Sequence, residues 1–139
     1  MVRSFFKYYL FVVILGITLL FTGCQKSPIN GDLDGRWQIM EMEINGELNN
    51  VKDQQLYYNF YLHVCNLSYY GWIVTEANFY YEENTIILDF PYITTDAEMK
   101  KLEKYGISSN PVKFDVVYLD KKKLILKEGD NVVITLRKF

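Results

Sequence analysis

Imidazole and thiol are the side chains whose protonation changes nearest neutral pH, so His63 and Cys65 are candidates for proton transfer or metal ligation. His63 is the only histidine and Cys65 one of two cysteines. A catalytic histidine needs an orienting acid and a nucleophile, and no Ser or Cys motif around His63 supplies them. His63-x-Cys65 is half of a metal-ligand pair with no second half, so no metal centre is expected. Alternation puts both residues on the polar face of a strand, which reads as surface or structural. Asp89, Asp115, Asp120, Glu82 and Glu83 stand near turns or alternate with apolar residues. They read as solvated carboxylates, not a paired acid and base. Lys121-Lys122-Lys123 is a three-charge turn, either a solvated hairpin or a contact for anionic lipid. No phosphate-binding glycine loop or Cys-x-x-Cys occurs. These residues imply neither an enzyme nor a cofactor. The net charge of −2 excludes a general nucleic-acid binder.

Cys24 has a different setting. Arg3 and Lys7 are the only charges before Lys26, and Tyr8 to Phe21 is an apolar run of 14 residues. That length suits a signal-peptide core; a spanning helix needs about 20 apolar residues. The run ends Leu20-Phe21-Thr22-Gly23-Cys24, which resembles the lipobox of bacterial lipoproteins, with Phe21 in place of the usual aliphatic residue. The resemblance implies cleavage after Gly23 and lipidation of Cys24, giving a membrane anchor with palmitate among its acyl chains. An uncleaved anchor and a plain cleaved signal are the alternatives. Residues 1–23 are thus expected to be a signal peptide and 24–33 a lipidated tether. Removing 23 residues from 139 leaves 116, and losing Arg3 and Lys7 takes the charge from −2 to −4. Gln25-Lys26-Ser27-Pro28 contains no acid. Surface-exported lipoproteins of bacteria related to Bacteroides resemble one another in an acidic run there. The expected location is the outer membrane, facing the periplasm.

Residues 34–139 read as one all-β domain with a single helix. At 50% hydrophobic and 23% charged, the chain can bury a core and is not disordered. Leu56, Tyr58, Phe60, Leu62 and Val64 alternate with polar or amphipathic residues, which predicts a strand over 55–64. Further strands are expected over 36–44, 70–81, 85–90, 112–119, 123–127 and 132–138, joined by short turns. Thr95 and Glu98 have capping-box spacing, and Met99, Leu102 and Tyr105 recur at helical spacing before Gly106. A helix is expected over 96–105. Seven strands in succession expose two edges unless they close into a barrel.

Gly35-Arg36-Trp37 opening the first strand and Arg137 in the last resemble the signature of the lipocalin-like, or calycin, group. The resemblance implies a small antiparallel up-and-down barrel of seven to eight strands, with Arg137 packed over Trp37. The chain more closely resembles small lipocalin-like lipoproteins of the Bacteroides group. Ten aromatics lie between Tyr57 and Tyr81. They either fill a narrow barrel or line a cavity mouth and an exposed contact face that includes Tyr57 and Tyr61. If a cavity exists, strand parity puts Tyr58, Phe60 and Leu62 in its lining, and the Met99/Leu102 side of the helix plugs one mouth. The expected function is to bind a small apolar or amphipathic ligand at the membrane. The alternative is a non-enzymatic envelope accessory protein that docks another protein through a tyrosine-rich surface.

Overall fold

The structure is a computed structural model and describes residues 7–9 and 28–139. The expected cleavage site and Cys24 lie outside the described residues. Nine strands follow: β1 (Gly35–Ile44), β2 (Glu47–Asn50), β3 (Leu56–Tyr61), β4 (Val64–Tyr69), β5 (Trp72–Glu82), β6 (Thr85–Asp89), β7 (Val112–Leu119), β8 (Lys123–Glu128) and β9 (Val132–Lys138). Each of β3 to β8 pairs antiparallel with the next, β3 pairs with β1, and β9 returns to β1. Eight strands therefore close into a barrel with no free edge. The extra strand, β2, pairs with Glu41–Ile44 of β1. Its residues are all exposed, so it carries no apolar pattern that would reveal it in the sequence.

The strand expected over 55–64 is two strands. Tyr61 pairs with Val64 across a turn at Leu62-His63, with Leu62 at φ 55°. A two-residue turn between paired outward residues shifts the inward set from even to odd numbers. Tyr58 and Phe60 thus point inward from β3, and Cys65 and Leu67 point inward from β4. Leu62 sits in the turn, and Cys65 is fully buried instead of sharing the polar face of His63.

The β6–β7 connection carries the helix α1 (Asp96–Leu102), which tightens into a 3-10 turn over Glu103–Tyr105. The capping box forms: the Glu98 N–H donates to Thr95 Oγ1 at 3.3 Å, and the Thr95 N–H donates to Glu98 Oε2 at 3.1 Å. The segment ends at Gly106, φ 78°. A β-carbon there would lie 2.7 Å from Ile134 Cδ1, so glycine is needed for both conformation and close approach. Leu102, Tyr105 and Ile107 are fully buried in the barrel mouth. At the opposite end a 3-10 turn, Gly31–Leu33, forms the floor. Leu33 is fully buried, and its carbonyl accepts the Trp37 indole N–H at 2.8 Å.

Candidate functional site

A ligand of a closed barrel would lie in its interior. Tyr58 and Phe60 stack with ring centroids 5.9 Å apart. Phe60 meets Phe79 at 5.0 Å, and Tyr58 meets Tyr105 and Phe114 edge-on at 6.2 and 6.3 Å. These rings are at most 1% accessible, as are Leu67, Leu88, Leu124 and Leu126. Side chains therefore touch one another where a ligand would lie. Eight-strand barrels are narrow enough for this to happen. The Tyr58 hydroxyl donates to the Tyr105 carbonyl at 2.7 Å, tying the mouth segment to the wall. Burial first, and then the neighbouring Cys65, Glu128 and Tyr105, push the Tyr58 hydroxyl well above its ordinary pKa. Burial likewise pushes up the Cys65 thiol, against a backbone hydrogen bond that lowers it.

The five residues expected to line and plug a cavity do not form one lining. Tyr58, Phe60 and Leu102 are core residues, and Met99 is half-buried against the core. Leu62, 41% exposed, lies in the turn beyond the strand that was to carry it inward.

The expected Trp37–Arg137 stack does not form. Arg137 is opposite Gln38 in the β1–β9 register and faces outward, donating from Nη2 to Gln38 Oε1 at 3.1 Å. Lys138 is opposite Trp37, and its Nζ sits 5.0 Å from the ring centroid. One residue of register separates the two faces of a sheet. Lys138 Nζ also donates to the Asp32 carbonyl at 2.8 Å. Tyr57 faces outward as expected but is only 2% exposed. The Arg36 guanidinium lies 4.0 Å from its ring centroid, and Phe139 packs edge-on at 5.5 Å. Tyr61 is 71% exposed. His63 is exposed in its turn.

Two surface features remain. The first is the β4–β5 hairpin tip, beside the plugged mouth. Tyr70 (φ 47°) and Gly71 (φ 87°) make its two-residue turn between the paired Tyr69 and Trp72. Both central residues have positive φ, the turn form that matches strand twist. The tip holds Tyr69, Tyr70, Trp72 (79% exposed) and Ile73 (61% exposed). Tyr69 and Tyr70 meet edge-on at 4.6 Å, and Lys104 Nζ lies 4.5 Å above Tyr69. The aromatic cluster is visible in the sequence, but which of its rings face out depends on strand register. The Tyr-Tyr-Gly-Trp run, read as a turn, was the available signal.

The second feature is a cleft of about 290 Å³ between the 3-10 turn and the ends of β1 and β9, lined by Ile44, Glu103, Gly106, Ile107, Ser108 and Val132. Ser108 Oγ donates to Glu128 Oε1 at 2.6 Å. The other oxygen of Glu128 and the Tyr105 hydroxyl are buried without partners.

A closed antiparallel barrel, capped by a short helix at one mouth and by a tryptophan-bearing floor at the other, defines the lipocalin-like class. The chain belongs to the family of the lipocalin-like domain, whose family model matches residues 19–139. Its structure is similar to the crystal structure of a lipocalin-like protein from Bacteroides uniformis, with TM-score 0.64 and 23% identity over 78% of this chain and 100% of that one. It is also similar to an uncharacterized protein from Bacteroides eggerthii, with TM-score 0.60 and 18% identity over 76% of this chain and 98% of that one. These two likenesses are of fold. No curated protein matches the chain. The lipocalin-like fold suggests a ligand-binding domain in general; what this chain binds has to come from its own surface and interior.

Proposed function

We propose that this chain is a lipid-anchored, non-enzymatic protein of the bacterial cell envelope, whose barrel is a rigid module that docks a partner protein through the β4–β5 tip. The filled interior is the observation that carries this reading. Opening the mouth would expose Leu102, Tyr105 and Ile107, at about 1.5–3 kcal/mol each, or roughly 5–9 kcal/mol in all. That compares with the roughly 8 kcal/mol a micromolar ligand supplies and with the whole stability of an ordinary domain, about 5–15 kcal/mol. A small apolar ligand gains little net affinity by entering. The tip has the opposite property. Exposed tyrosine and tryptophan supply large contact area at low entropy cost and are enriched at protein interfaces. It also lies at the end of the barrel away from Pro28, where the chain arrives from its apolar N-terminal segment. An anchored barrel would then present the tip to the aqueous compartment, which favours a protein partner over the chain's own membrane.

The test is a photo-crosslinking residue at position 72 in the chain expressed in its own host. One discrete protein adduct is expected, lost with Tyr70→Ala/Ile73→Ala and absent when the crosslinker is at position 118. A smear shared by both positions overturns the reading. The second reading, a small amphipathic ligand, is favoured by the orphaned oxygen of Glu128, whose other oxygen accepts from Ser108 in the wall of the 290 Å³ cleft. Its apolar part would lie on Ile44, Ile107 and Val132, with a donor reaching Glu128.

A further inference from the structure

The end of the barrel opposite the plug gathers positive charge along one side. We propose that this side rests on the membrane carrying the chain's own anchor, with Lys121, Lys122, Lys123 and Arg137 on anionic lipid headgroups. The inference rests on the anchoring reading above and adds the orientation of the barrel and the chemistry of the surface beneath it.

All four side chains are exposed. Lys123 and Arg137 are register partners on the outward face. Like charges directly opposite each other destabilise a sheet unless an anion lies between or above them. Among the described residues the one ion pair is Lys127–Asp130, at the other end of β8, and it offers these cations nothing. The acid of the turn itself, Asp120, is turned to its own backbone. It accepts from the Lys122 and Lys123 N–H groups at 2.7 Å each and from the Tyr118 hydroxyl at 2.7 Å. The Lys138 N–H donates to the Lys122 carbonyl at 2.9 Å, which holds the turn against the last strand. The four charges therefore stand on rigid elements. Of the other acids at this end, Asp34 accepts from Asn30, Asp32 lies in the floor turn whose carbonyl holds Lys138, and Glu82 and Glu83 sit in the β5–β6 turn, the next turn along the rim.

The path of the chain supplies the occupant. Asn30 Nδ2 donates to the Leu62 carbonyl at 2.9 Å, so the polypeptide enters at this same end. Four residues, Cys24 to Ser27, separate the expected lipid attachment from Pro28. Fully extended they span at most about 14 Å. A lipidated Cys24 thus keeps this end within roughly two Debye lengths of the headgroups, where a basic surface feels anionic lipid. Exposed Ile29, Leu62 and Phe139 share the end and suit an interfacial depth.

The experiment uses the full lipidated chain in vesicles, with a fluorophore on His63→Cys at the basic end or on Trp72→Cys at the tip. Quenching is by lipids with a nitroxide on the headgroup. In phosphatidylethanolamine/phosphatidylglycerol vesicles the label at 63 is expected to be quenched several-fold more than that at 72. Lys121→Gln/Lys122→Gln/Lys123→Gln, or pure phosphatidylcholine, should reduce that difference. Stronger quenching at 72 overturns the orientation. Quenching at 63 that ignores both lipid charge and the lysines overturns the headgroup contact, while vesicle co-flotation leaves the anchor reading standing. A chain that does not float with vesicles at all overturns both.

Discussion

Trp37 shows how one residue of register changes chemistry. It is fully buried at the floor of the barrel, with its indole N–H on the Leu33 carbonyl and the Lys138 ammonium over its ring. Trp37→Ala should destabilise by about 3–5 kcal/mol, the cost of removing a large buried ring. Arg137→Ala should change stability by less than about 1 kcal/mol, because its side chain is outward and makes one hydrogen bond. Denaturant titration of the two variants separates these roles; equal losses would mean that Arg137, not Lys138, supports the ring. Cys65 gives a second test at this scale. Its thiol is buried and its ionisation suppressed, so the nucleophilic thiolate is absent from the native state. Alkylating reagents should modify Cys65 only as fast as the barrel unfolds. Rapid modification at neutral pH in the folded protein would contradict its place inside the wall.

Among elements, the mouth segment was the most legible in sequence and the β3–β4 hairpin the least. Thr95, Glu98 and Gly106 carry local, side-chain-specific signals, and the structure contains both the cap and the left-handed stop. It differs only in tightening the last turn into a 3-10 form, where Tyr105 must reach into the barrel. The hairpin misled because its alternation runs unbroken through Leu62 and His63, two residues without turn propensity. Only pairing across the sheet shows that the inward set has shifted. The same long-range register hid Lys138 behind Arg137 and decided which aromatic rings lie outside. The cap also predicts a pH response. The Thr94 N–H first, then the Thr95 hydroxyl and N–H, hold the Glu98 carboxyl below its usual range. A depressed folded pKa adds stability above the unfolded carboxylate value, about 4.3. That stability is lost as pH falls through the lower folded value. Amide protection factors in the α1 segment, which are exchange rates relative to the unstructured chain at the same pH, should therefore fall under acid. Glu98→Gln should remove that dependence, and Thr95→Ala, which also takes away one of the groups that hold the Glu98 carboxylate, should weaken the helix by about 1 kcal/mol at neutral pH and flatten the acid response.

At the scale of the whole molecule, the barrel has two differently made ends. One receives the chain and bears lysines; the other is plugged by Tyr105 and flanked by the aromatic tip. The proposed anchor would give that polarity a use. Cys24→Ser should leave an unlipidated precursor that no longer incorporates labelled palmitate, and unchanged labelling would move the attachment elsewhere. The family was legible from Gly35-Arg36-Trp37, although Arg137, the other half of that signature, does not pack on Trp37; the filling of the interior was not legible, because volume depends on all eight walls at once. Native mass spectrometry of the full chain, extracted from its own membrane and released from detergent, tests that filling most directly. A packed barrel predicts the mass of the polypeptide with whatever it carries covalently and no stoichiometric small molecule. A one-to-one non-covalent adduct that leaves on denaturation would contradict it and restore the barrel as a carrier.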